Sequence, residues 1–154
     1  MLTNKILLPQ ETELLRDSLV SLAEYHNSVT ENNDISYPSV SIDDTIRLLA
    51  ENIVGGKNII NAYFEDDELI AFCVIGIHKE ENHGELKYLF VRESHRKHGV
   101  GDSLIQWAMD EFDKKDIELV DIRVVLGNPA LTFYEKYGFK PRIMVMSKRF
   151  HEKK

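Results

Sequence analysis

Only one cysteine, Cys73, occurs in the 154 residues, so an internal disulfide is excluded. It sits inside the apolar run LIAFCVIGI and reads as a small buried side chain, not a nucleophile. No apolar run approaches the ~20 residues of a membrane-spanning helix, and the opening MLTNKILLPQ lacks the long apolar region of a secretory signal. The expectation is a soluble, cytoplasmic protein with no membrane partner. Basic residues are in deficit, with 19 Lys and Arg against 26 Asp and Glu and a net charge of −7. That deficit argues against nucleic acid as a partner, because non-specific binding needs a broad basic surface. A local anion site is still allowed. No repeat, low-complexity tract or Pro/Gly/Ser linker interrupts the chain, and its length suits one well-buried core. One domain over residues 1–154 is therefore expected.

The apolar spacing supplies the elements. NKILLP reads as a short first strand, and residues 11–27 as an amphipathic helix with Leu14, Leu15, Leu19, Leu22, Ala23 and His26 on one face. After the polar stretch VTENNDISYPSV, Ser41 is placed to cap a second helix, IDDTIRLLAENI, whose first turn is acidic. NIINAYF and LIAFCVIGIH have strand character and are joined by EDDE, a hairpin turn. EENHG, with His83 in the turn, leads into ELKYLFV, where Leu86, Tyr88 and Phe90 alternate with Lys87, Leu89 and Val91. A helix beginning near Gly101 carries Leu104, Ile105, Ala108, Met109 and Phe112 on its core face. IELVDIRVVL is a strand, Asn128 and Pro129 open a last helix that Gly138 ends, and FKPRIMVMSKRF closes as a strand or a bent pair. The order predicts an α/β (α+β) protein with helices on both faces of a mixed sheet.

One stretch collects cations where the backbone is freest to bend. HRKHGVG, residues 95–101, lies between a strand and a helix start. Unpaired amides and the helix dipole favour an anion there, glycines allow close approach, and Arg96, Lys97 and His98 add charge. Two phosphate loops do not fit. Gly-x-x-x-x-Gly-Lys-Ser/Thr is absent, and the third glycine of a dinucleotide fingerprint would fall at Leu104. By itself the loop also fits a tight turn.

A second segment decides between these readings. Arg96-Lys97-His98-Gly99-Val100-Gly101 resembles the Arg/Gln-x-x-Gly-x-Gly/Ala loop of the Gcn5-related N-acetyltransferase (GNAT) superfamily. LGNPALTFYEKYGF resembles the same family's second signature, and Met146 to Phe150 its usual last strand. The strong resemblance covers about residues 85–150; the first 80 residues match only in the order of elements. It implies acetyl-CoA as co-substrate and no metal. Arg96, Lys97, His98, Gly99, Val100 and Gly101 would hold its pyrophosphate, with Asp102 starting the helix. Val91 would pair with the pantetheine arm in a slot between strands 85–91 and 118–126. Asn128 would bind from the other wall, and Tyr134 would face the sulfur.

The resemblance further implies an N-acetyltransferase acting on a primary amine of a small molecule or peptide. A phenol with a pKa near 10 is a fitting acid toward a thiolate of comparable basicity, which gives Tyr134 its role. Glu85, at the start of its strand, is the candidate base; a water chain is the alternative. The other histidines show no metal-ligand spacing. A non-catalytic GNAT-like acyl-CoA-binding or regulatory module is the competing reading, and it would need the loop but not the phenol. An unrelated phosphate-binding protein would leave NPALTFYEKYGF unexplained. A homodimer is compatible with all of these. TENNDISYP and the acids near it lean toward a cationic acceptor.

Overall fold

Asp66 and Asp67 of the EDDE segment both take positive φ, 51° and 64°, the twist that a two-residue hairpin needs. They join β2 (Asn58–Glu65) to β3 (Glu68–His78), as the sequence predicts. The computed structural model describes residues 1–29, 41–124 and 127–151. The predicted loop TENNDISYP, the helix-face position His26 and residues 125–126 of the predicted fifth strand lie outside the described residues and side chains. β1 (Leu2–Ile6) pairs antiparallel with β2, and β3 pairs antiparallel with β4 (His83–Val91). β5 (Leu119–Ile122) adds to β4 in parallel, so the sheet runs β1-β2-β3-β4-β5 and is mixed.

Side-chain parity divides the core into two. β3 is buried from Leu69 to Ile77, so both its faces are covered. On one face Phe72 and Val74 meet Leu15 and Leu19, and also Ile46 and Leu49 from α2 (Ile42–Val54). On the other, Cys73, Ile75 and Leu86 meet Leu104, Ile105, Ala108 and Phe112 of α3 (Val100–Lys114). The predicted stripe on α3 is thus its core face, with Met109 half-buried at its edge. The Ser41 hydroxyl accepts the Asp44 amide at 3.4 Å and caps α2 as expected.

Five expectations need correction. The 11–27 helix begins as a 3-10 turn over Pro9–Leu15 and becomes α1 only at Arg16–Val29. Proline at its start and Glu11, which accepts the Leu8 amide at 2.8 Å, hold that tight turn, and Leu14 is left exposed. Simple alternation in β4 fails because Val74 pairs with Tyr88 while Ile75 pairs with Leu86, which leaves Lys87 as an extra residue. The bulge puts Leu86 and Leu89 on the α3 side and Tyr88 and Phe90 on the α1–α2 side. His83 is the first residue of β4 and not part of a turn.

β5 is only Leu119–Ile122, shorter than the predicted 118–126. Residues 139–150 form no strand, and Ile143, Met144, Val145 and Met146 are 70–88% exposed. Branched residues favour extended backbone, but a strand exists only against a partner, and no described backbone pairs with this segment. α4 (Ala130–Lys136) begins after Asn128, whose Oδ1 accepts the Ala130 amide at 2.9 Å. Gly138, at φ 90°, takes the chain out of it.

Candidate active site

The parallel ladder between β4 and β5 runs from His83–Leu119 to Leu86–Ile122 and then stops. Beyond that rung the two strands part and a cleft opens, with Lys87, Tyr88, Arg123, Val124, Asn128 and Tyr134 on its walls. About 330 Å³ of space lies between these walls when the open solvent at its mouth is counted. A forked sheet has unpaired main chain on both inner edges, so an extended polar ligand can bond where a strand otherwise would.

At the far end of β4 lies the cationic loop. After a 3-10 turn at Glu93–His95, Lys97 (φ 67°) and Gly99 (φ 86°) bend the backbone into the left-handed region, and α3 starts at Val100, one residue before the expected Gly101. The amides of Val100, Gly101 and Asp102 have no intrahelical acceptor, and among the described residues no side chain caps this helix. Val100 itself is 4% exposed, which makes its side chain core and only its amide available to a ligand. Arg96, Lys97 and His98 are exposed around the helix end. Arg96 Nε donates to the Val91 carbonyl at 2.9 Å, and its guanidinium lies 5.9 Å from the Tyr25 ring centre. The carbonyl that the family resemblance reserves for a ligand therefore accepts a side chain here.

Asp102 faces α4. Its carboxylate accepts the Tyr137 hydroxyl and, at 3.1 Å, Lys136 Nζ. The Tyr137 bond first, then that of Lys136, holds its carboxyl below the usual range, and the same bond pushes the Tyr137 phenol up to about 12.

Tyr134 stands edge-on between Phe133, at 5.4 Å, and Phe139, at 6.2 Å. Burial pushes its phenol well above the ordinary tyrosine value, with nearby Cys73 a lesser cause. Such a group stays protonated and can give a proton only to a strong base. Burial raises the Cys73 thiol likewise, consistent with a core residue. Glu85 is half-buried, opposite Gly76 on β3 and Asp121 on β5. Burial, and after it the Glu85 carboxylate, raise the Tyr88 phenol. His83 Nε2 is 2.8 Å from Asp121 Oδ2, and Arg142 Nη2 donates to the same oxygen at 2.7 Å. These two bonds hold the Asp121 carboxyl below its usual range.

Of the residues predicted from sequence, Tyr134 and Asn128 meet at the cleft. Glu85 adjoins its floor beside Leu86, while Val91 and the loop from Arg96 to Asp102 sit at the outer end of the same strand. Lys87, Tyr88 and Arg123 line the cleft without having been singled out. The available signal was a charge inside an otherwise apolar run, ELKYLFV in one case and DIRVVL in the other. Among the described residues no group of three His, Cys, Asp or Glu could hold a metal, and no helix is long and apolar enough to cross a membrane.

No curated protein sequence matches the chain. Among solved structures it is similar to a ribosomal-protein-alanine N-acetyltransferase from Brucella melitensis biovar Abortus 2308, with 15% identity, 97% of this chain and 100% of that one covered, and a TM-score of 0.69. A GCN5-related N-acetyltransferase from Ralstonia eutropha is 17% identical over 97% of this chain and 99% of that one, with a TM-score of 0.72. Glucosamine-6-phosphate N-acetyltransferase from Arabidopsis thaliana is 19% identical over 98% and 99%, with a TM-score of 0.66. At these identities the likeness is one of fold. A family model described as an acetyltransferase (GNAT) domain matches residues 56–141, which takes in β2 to α4, the forked sheet and the cationic loop. With more than half of its length fitting that model, the chain belongs to the GNAT acetyltransferase family.

Proposed function

We propose that the protein is an acetyl-CoA-dependent N-acetyltransferase, a single domain acting in the cytoplasm on a primary amine. The observation that carries this reading is the alignment of an uncapped helix start with a forked sheet whose walls hold Tyr134 and Asn128. Residues 96–102 fit a pyrophosphate, since three amides without an intrahelical acceptor start the helix and Arg96 and Lys97 are exposed on the turn before it. The cleft fits the narrow arm that such a cofactor carries. Acetyl-CoA, when bound, supplies an activated thioester. Arg96 must release the Val91 carbonyl if that group is to pair with the arm.

The chain's own residues then move two protons. The acceptor amine must be neutral to attack; Glu85, or water held beside it, takes the proton it sheds. Tyr134 keeps its phenolic proton because the site is buried, and it gives that proton to the sulfur as the carbon–sulfur bond breaks. A mere binder would need the loop and not the phenol.

Thermal unfolding tests the reading. A ligand that binds only the folded state adds about 2.7 kcal/mol at 100 times its Kd, a rise of roughly 5–10 °C for a domain of this size. Acetyl-CoA should give that rise, ATP and NAD much less, and coenzyme A should be released when a suitable amine is added. A shift with ATP and none with acetyl-CoA overturns the assignment.

A further inference from the structure

The first residues past the fork are both cations. Leu86 and Ile122 form the last rung, and the next residue on each strand is Lys87 on one wall and Arg123 on the other. Among the described residues neither side chain has an ion pair or a hydrogen bond, whereas Arg142 and His83 nearby both bind Asp121. Among the described residues the cleft walls include no carboxylate.

Parity places the pair on the face away from Tyr134. Ile122 packs toward α3, as does Tyr134, so alternation turns Asp121 and Arg123 to the α1–α2 side. Lys87 is on that side too. Its Cδ lies 3.3 Å from where a β-carbon on Gly76 would stand, and Gly76 shares its face with Phe72 and Val74 of the α1–α2 core. The Glu85 Cβ is 3.6 Å from the same point, yet Glu85 and Lys87 form no ion pair. Asn58 adjoins them, with its Nδ2 also 3.6 Å from that point and its buried Oδ1 lacking a partner. Glu85 and two unpaired bases thus share a face with Asp121, whose carboxylate is already taken by His83 and Arg142.

We propose that the acceptor is an amine that also carries an anionic group, a carboxylate or a phosphate, which Lys87 and Arg123 hold at the fork while Glu85 faces the amine. The inference rests on the acetyltransferase reading and adds the acceptor's class to it. Two cations on opposite walls repel one another, and an anion between them gains a charge-assisted bond from each wall. An uncharged amine leaves both unanswered, and a dication such as a polyamine is repelled.

Two measurements test it. In the first, the protein saturated with acetyl-CoA is titrated with inorganic phosphate and, separately, acetate, and amide shifts are followed by NMR. Shifts centred on residues 86–89 and 122–124, lost in Lys87→Met and Arg123→Met but kept in Lys87→Arg, are expected. In the second, coenzyme A release is compared for matched amines, lysine against cadaverine and phosphoethanolamine against ethanolamine. The member that carries the anionic group in at least one pair should have a kcat/KM higher by about tenfold or more, and the two Met variants should erase the advantage. Which pair responds separates carboxylate from phosphate.

Failure to bind acetyl-CoA at all would overturn the proposed function and this inference with it. Acetyl-CoA binding without local anion shifts, or with shifts that survive in both Met variants, overturns this inference alone. Preference for the member without the anionic group in each pair does the same. So does a folded Met variant in which acetyl-CoA affinity itself falls tenfold, because the cations would then serve the cofactor.

Discussion

The Phe112 ring lies against the bare Cα of Gly84, so close that a β-carbon there would come within 2.5 Å of Cε1 and 2.8 Å of Cδ1. The contact fixes α3 to the start of β4, directly below the fork. Gly84→Ala should therefore destabilise the protein by about 1–3 kcal/mol through overpacking. Shortening the ring in Gly84→Ala/Phe112→Leu should recover part of that loss. Denaturant unfolding of the three chains checks this, and a neutral Gly84→Ala would mean that α3 shifts freely on the sheet.

The two glycines of the cationic loop differ in what they permit. Gly99 has φ 86° and open space around it, whereas a β-carbon on Gly101 would meet only Phe133 Cζ and Val91 Cγ2, each at an ordinary 3.8 Å. Gly99→Ala should cost about 1–2 kcal/mol from backbone strain alone. Gly101→Ala should leave the melting temperature unchanged or slightly raised, since alanine favours the helix that begins there. Equal losses in a thermal melt would show that the loop is shaped by something other than the φ of Gly99.

Removing the Tyr134 hydroxyl tests the proton donor. Tyr134→Phe deletes no ring contact, so folding and acetyl-CoA affinity should survive, while the single-turnover rate should fall by the ~10²- to 10⁴-fold typical of general acid catalysis. Burial raises this phenol's pKa, so the protonated form persists beyond the usual value near 10. The wild-type rate should show no alkaline decline from Tyr134 below that pH. In the same way, whatever stability the raised pKa contributes is complete below about pH 10 and is lost only as pH climbs toward the folded-state value. A wild-type single-turnover rate in folded Tyr134→Phe removes the residue from the chemistry.

Local signals carried most of the sequence reading. Ser41 as a cap, Asp66-Asp67 as a turn, Gly138 as a helix stop and the Leu104–Phe112 stripe each depend on neighbours within a few residues, and each appears in the structure as expected. What failed depended on the far side of the molecule. Ile143 and Val145 have strand character but no described neighbour to pair with, and the length of β5 is set by where β4 leaves it, not by its own branched residues. Tyr134 and Asn128 were legible because they recur in a family pattern. Lys87 and Arg123 were not, because nothing in ELKYLFV or IELVDIRVVL marks the rung at which two strands separate.

The extra residue in β4 has a consequence for length as well as for chemistry. Opposite Val74 and Ile75 the strand counts three residues, Leu86, Lys87 and Tyr88, against two. Odd and even positions exchange sides across it, so a chain one codon shorter here would return to simple alternation with the remaining side chains on their present sides. With Lys87 gone, Leu86 would still face α3, Gly84 would keep Phe112, and Tyr88 and Phe90 would stay on the α1–α2 core. What the extra residue supplies is thus a cation at the fork and the added twist of a bulge, and a relative lacking it could carry the same side chains from 83 to 91.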